Sequence, residues 1–196
     1  HWLEDILNPP NAEYARRLWR MVDENYIPID WQIDFKSGYR WREDMWCNDL
    51  EYGDAPGADV KVPWELARMQ HLPQLAAAFA LAISGRDGFR PPEVYAREFR
   101  NQVIDFTASN PPRYGVNWKC AMDVAIRAVN MLAAHDMFRA AGVEFDSDFE
   151  DEFLKSIYRH GRFVAGNLEW LDEYRSNHYL ADIAGLIFSG AYLTSS

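Results

Sequence analysis

From Pro63 onward the chain repeats one pattern: apolar residues three and four apart, in runs punctuated by proline and glycine. Trp64, Ala67, Leu72, Leu75, Phe79 and Ile83 recur at helical spacing, and Gly85 closes the run. After Pro91-Pro92, the residues Val94, Tyr95, Phe99, Val103 and Phe106 share one side, and Asn110-Pro111-Pro112 ends that stretch. A third run from Val116 to Ala141 carries Trp118, Met122, Ala125, Val129, Leu132 and Met137, with Gly142 behind it. A fourth is predicted to begin at Ser147, whose spacing to Glu150 is that of a capping box, and continues through Phe153, Ile157 and Val164. A fifth starts near Ser176-Asn177 and carries Leu180, Ile183, Ala184, Ile187 and Phe188. Helices joined by short Pro/Gly turns imply antiparallel neighbours, and no strand–helix alternation is present. The predicted fold class is all-α.

The first sixty residues read differently. An amphipathic piece from Ala12 to Asn25 follows Pro9-Pro10, and then IPIDWQIDFKSGYRW (Ile27 to Trp41) mixes aromatics and charges without either period. Residues 1–60 are therefore expected to form an irregular segment packed on a helical domain over 61–196. Opening on His1 rather than Met, the chain is expected to be a processed or excised piece.

Composition narrows the function classes. At 48% hydrophobic and 26% charged over 196 residues, the sequence is that of a globular chain with a sizeable core. A net charge of −10 argues against nucleic acid, which selects a basic face. A few local Arg, His and amide groups still suffice to hold an anion. The longest apolar stretch, Ile183 to Leu193, is short and broken by Gly and Ser, so no membrane span is expected. Cys47 and Cys120 leave pairing open. Aromatics reach 15%, including 8 Trp, enough to supply both core and sugar-stacking surfaces.

The candidate chemistry centres on Asn177-His178, inside EYRSNHYLADIAGL (Glu173 to Leu186). An amide and an imidazole at a helix start suit a carboxylate ligand, because free backbone N–H groups add to the same field. The bland alternatives are an Asn N-cap and a half-buried His. Asn117-Trp118 poses a similar choice between cap plus core residue and ligand donor plus cleft wall. Arg127 lies nine positions beyond Trp118, on the opposite face of a regular helix, so both reach one ligand only if Trp118 projects from an irregular start. Asp123, four residues earlier, is the expected ion-pair partner of Arg127. Trp64 and Arg68, with Glu65 between them, are either core and ion pair or platform and ligand contact. No metal or other cofactor is expected: His71, His135, His160 and His178 show no HxxxH or HExxH spacing, and CxxC, GxSxG and glycine-rich phosphate patterns are absent.

Three segments in order resemble the N-terminal domain of the heparinase II/III-like polysaccharide lyases, relatives of some alginate lyases. They are KVPWELARMQHLPQLAAAFA (Lys61 to Ala80), NPPRYGVNWKCAMDVAIRAVNML (Asn110 to Leu132) and SNHYLADIAGLIFSG (Ser176 to Gly190). The resemblance implies an incomplete (α/α) toroid of helical hairpins, normally followed by a β-sandwich domain. It implies β-elimination on a uronic-acid-containing polysaccharide, met in the periplasm or outside the cell. Asn177 then neutralises the substrate carboxylate, and His178 assists or abstracts the proton. Asn117, Trp118, Trp64, Arg68 and Arg127 become candidate substrate-binding residues. The family's Tyr acid/base lies downstream of the Asn-His pair, and further groups come from the β domain. The isolated chain is therefore expected to be weakly active or inactive. Competing classes are a non-catalytic acidic-glycan-binding or scaffold module and a toroid glycoside hydrolase using paired carboxylates.

Overall fold

Seven α-helices order the described residues: α1 (Pro9–Trp19), α2 (Lys61–Ala67), α3 (Leu72–Ile83), α4 (Pro92–Ser109), α5 (Ala121–Ala140), α6 (Ser147–Gly166) and α7 (Asn177–Ser195). The computed structural model describes residues 7, 9–53, 55–170 and 176–195, and Glu173 to Arg175 of the Asn-His segment lie outside that range. The described residues contain no strand, only isolated bridges between Ile33 and Arg40 and between Trp46 and Tyr114. The class is all-α, as the periodicity predicts.

Packing joins sequence neighbours, helices two apart and, for α1 with α4 and α2 with α5, helices three apart. α4 lies against α1, α3 and α6, while α5 contacts α3, α6 and α7. The main core gathers Leu18 of α1, Leu72 and Phe79 of α3, Phe99 and Phe106 of α4, Phe138 of α5 and Phe149, Phe153 and Ile157 of α6, together with Trp31 from the irregular segment. Phe99 sits at its centre, with ring centroids 5.1 Å from Phe138 and 5.9 Å from Phe149.

Several boundaries differ from the sequence reading, each for a local reason. The run from Trp64 to Ile83 is broken rather than continuous. Pro73 in the first turn of α3 has no N–H to continue the ladder, and Met69 takes a left-handed conformation at φ 55°. The carbonyls freed at this break are captured by α5, where Arg127 donates to Ala67 O at 3.3 Å and Asn130 to Arg68 O at 2.8 Å. The Val116 run is divided too: a 3₁₀ turn (Val116–Trp118) precedes α5, and Cys120 between them is extended. α6 is capped by Asp146, whose carboxylate accepts from Phe149 N at 3.0 Å, not by Ser147. Glu150, free of a capping box, turns to His135 at 3.0 Å. Along the acidic stretch from Glu144 to Glu152, Glu152 is buried against Tyr14, Arg17 and Lys155.

Asp105 fastens the irregular segment to the helices. Fully buried on α4, it accepts from Ile29 N at 3.0 Å, Trp31 Nε1 at 3.1 Å, Tyr26 Oη at 3.2 Å and Ser109 Oγ at 3.2 Å. Burial pushes its carboxyl up while those donors pull it down. Replacing Asp105 by Ala orphans buried donors, and a loss of roughly 3 kcal/mol is expected in denaturant unfolding. A change under about 0.5 kcal/mol, the scale of ordinary surface substitutions, removes Asp105 from this role.

Candidate functional site

The end of α6 and the starts of α5 and α7 converge on one carboxylate. Glu169, three residues past Gly166, accepts from Met122 N at 2.8 Å through Oε2. That N–H belongs to the first turn of α5, where the residue before the helix, Cys120, offers no capping side-chain bond. The other oxygen, Oε1, lies 3.0 Å from His178 Nδ1. Cys120 Sγ lies 3.6 Å from Oε2. The backbone of Glu169 is fixed as well, since its N–H donates to Asp182 Oδ2 at 2.8 Å. Asp182 is fully buried on α7, with its carboxyl raised chiefly by burial, and Oδ1 has no hydrogen-bond partner among the described residues.

This arrangement assigns the tautomer of His178. A carboxylate accepts the hydrogen bond from Nδ1–H, which in the neutral ring leaves the lone pair on Nε2. No described residue hydrogen-bonds Nε2, and the side chain is 38% exposed. Ser176 does the capping at this helix start, its hydroxyl accepting from His178 N at 3.2 Å. Asn177 is thereby freed from capping. Its carboxamide is exposed, and its nearest described polar contact is Met122 Sδ at 4.0 Å.

The other predicted site residues form a second group, built on the 3₁₀ turn, the end of α2 and α5. Asn117 and Trp118 are buried, with Asn117 donating to Trp31 O at 2.7 Å and Asn110 Oδ1 at 2.9 Å. Trp118 Nε1 donates to Asn110 O at 3.0 Å. Trp118 does project from an irregular start: its ring centroid lies 5.3 Å from the Arg127 guanidinium, which also stacks 4.4 Å from Phe106. Arg127 is fully buried and is not bonded to Asp123. It donates to His160 Nε2 at 2.9 Å, Asn117 O at 3.1 Å and Ala67 O. Asp123 is taken by Arg68 instead, which also bonds Glu65. Burial lowers Arg127 to about 9 and His160 to about 3, so the imidazole stays neutral and accepts. Trp64 is half-buried, donating to Val116 O at 2.8 Å beside Tyr52. The donors of this group are spent on the scaffold.

The family model for the Heparinase II/III N-terminus matches residues 12–194. The chain belongs to the heparinase II/III N-terminus family. Comparisons with curated proteins and with solved structures returned no match.

Along the second half of α6 in this heparinase II/III-type domain, a cleft of about 540 Å³ is lined by Arg113, Arg159, Arg162 and Tyr158 among others. Arg159 donates to Tyr14 Oη at 2.7 Å, and Arg113 lies over Trp46 at 5.7 Å. No carboxylate of the described residues pairs with these three guanidiniums. Sequence reasoning missed both the cleft and Glu169. The signal for Glu169 was negative: Lys119-Cys120 supplies no capping side chain for α5, so an acceptor had to come from elsewhere. Cys47 and Cys120 are buried and free, which closes the pairing question. No described helix is long and apolar enough to cross a membrane.

Proposed function

We propose that this chain is the N-terminal helical part of a polysaccharide lyase that cleaves uronic-acid-containing polysaccharide by β-elimination. The observation that carries the reading is the exposed Asn177 carboxamide beside His178, whose Nδ1 is engaged by Glu169. Asn177 donates to the substrate carboxylate, where negative charge grows as the α-proton leaves, in the manner of an oxyanion hole. His178 Nε2 accepts that proton. The C–H electron pair becomes the new carbon–carbon double bond, and the glycosidic oxygen departs from the neighbouring carbon. Protonation of that oxygen falls to the downstream Tyr implied by the family, and the substrate cleft is completed by the β domain. Asn117, Trp118 and Arg127 act by fixing the start of α5, and Trp64 and Arg68 flank it. The arginine-lined cleft along α6 supplies positive charge for an acidic polymer, with Tyr158 as a stacking surface. The hairpins form part of an incomplete toroid, working in the periplasm or outside the cell.

The test is to incubate the complete protein with uronic-acid polysaccharides and follow the absorbance of the unsaturated product. Hydrolysis yields no double bond, so reducing ends without that absorbance overturn the lyase reading. Binding without turnover, in the complete protein, favours a glycan-binding module. Within the lyase reading, Glu169→Gln keeps the side-chain shape but weakens the hold on the His178 tautomer. It is expected to lower kcat about tenfold or more while KM stays near its original value. Unchanged kcat removes Glu169 from positioning.

A further inference from the structure

Cys120, Glu169 and His178 bring a thiol, a carboxylate and an imidazole together from positions far apart in sequence, with their ligand atoms all within 4.8 Å of one another. The spacing is close to what a zinc-class ion requires. Bonds of about 2.3 Å to sulfur and 2.0–2.1 Å to nitrogen and oxygen, at tetrahedral angles, separate the donors by roughly 3.2–3.7 Å. Here one oxygen, Glu169 Oε1, lies 3.0 Å from His178 Nδ1 and 3.9 Å from Cys120 Sγ, so shifts of a few tenths of an ångström bring the donors to that spacing. We infer that these three side chains form a binding site for a divalent cation of the zinc class, held by Cys120 Sγ, the Glu169 carboxylate and His178 Nδ1.

Charge and support fit that ligand. The thiol sits 7% exposed, and burial first, with the negative charges of Asp123 and Glu169 behind it, pushes its pKa upward. A divalent ion reverses that balance: Cys120 releases its proton to solvent, and the thiolate and carboxylate together cancel the ion's two charges. The ligand set of one sulfur, one nitrogen and one oxygen suits zinc and disfavours magnesium or calcium, which take oxygen ligands. Asp182, accepting from the Glu169 backbone at 2.8 Å, holds the carboxylate-bearing segment from behind. Three protein ligands leave a fourth position for water or a ligand on the side where His178 is exposed. Coordination moves the ring proton from Nδ1 to Nε2, turning His178 from an acceptor into a donor at the open face. The metal-loaded form therefore lacks the free Nε2 base of the proposed elimination, which belongs to the metal-free chain, and binding is measured without turnover.

The experiment is a titration of the reduced full chain with Co²⁺ as the probe, followed by absorption. One equivalent is expected to bind with a thiolate-to-cobalt charge-transfer band in the near ultraviolet and visible bands of tetrahedral intensity. Zn²⁺ is expected to displace both. Cys120→Ser is expected to lose the charge-transfer band and Cys47→Ser to keep it. Glu169→Gln and His178→Gln are each expected to weaken binding at least about tenfold, by loss of a direct ligand. If circular dichroism shows Cys120→Ser unfolded, the Glu169 and His178 variants decide. No charge-transfer band with the unaltered chain at millimolar Co²⁺, a band that survives in folded Cys120→Ser, or full affinity in both other variants overturns the site.

Discussion

Asn177→Ala in the complete protein is expected to lower kcat by about 10²–10³-fold, the scale seen when one donor to a developing oxyanion is removed. Its carboxamide is exposed and carries no capping bond, which Ser176 supplies instead. The fold therefore has little to lose, and the stability change is expected to stay within about 0.5 kcal/mol. That separation makes the substitution informative: a loss of turnover at unchanged melting temperature is a loss of chemistry. Asn177→Asp sharpens it, because a carboxylate there repels the substrate carboxylate while preserving size. Steady-state kinetics on a uronic-acid polysaccharide, with a thermal melt of each variant, reads both quantities. Turnover retained in Asn177→Ala ends its assignment to the carboxylate.

The largest expected effect on stability lies at Gly185. A Cβ built there stands 2.6 Å from Ala125 Cβ and 3.0 Å from Ala125 Cα, so α7 and α5 touch almost backbone to backbone. Side-chain adjustment cannot relieve a clash with a Cα, so the helices must separate. Gly185→Ala gains about 1 kcal/mol of helix propensity and is still expected to be destabilising overall, because overpacking costs about 1–3 kcal/mol. Gly185→Leu is expected to cost more than about 3 kcal/mol, lowering the melting temperature by roughly 6–12 °C in a chain of this size. Gly190, five residues on in the same helix, is the control: nothing lies within 4 Å of its built Cβ. Gly190→Ala is expected to be neutral or stabilising by about 0.5–1 kcal/mol. Equal melting shifts at the two glycines count against the close α5–α7 approach.

The helices were legible wherever one apolar face met the core over several turns. α4 and α6 show this well, with Phe99, Val103 and Phe106 on one and Phe149, Phe153 and Ile157 on the other, all buried. Boundaries were less legible because they rest on single hydrogen bonds. Ser147 and Asp146 are both good caps by residue type, and only the placement of Phe149 N chose between them. The break at Met69 was foreshadowed by Pro73, but apolar spacing carried across it without a gap. Ion pairing misled most. Asp123 lies one turn before Arg127, yet Arg68 reaches it from α2, and Arg127 is left to cap Ala67 and bond a neutral histidine.

The sequence by itself determined the all-α class from Pro63 onward, because its apolar residues recur there at helical spacing over several turns. It also determined that an amide and an imidazole stand together at a helix start, since adjacency on the chain is covalent. Which of them faces outward was a tertiary outcome. Ser176 took the cap, Glu169 came in from beyond α6 to hold His178 Nδ1, and Asn177 was left open. Glu169 and Cys120 are 49 positions apart, and nothing local links them. They meet because the start of α5 needs an acceptor for Met122 N, a demand that only the packed helices could satisfy.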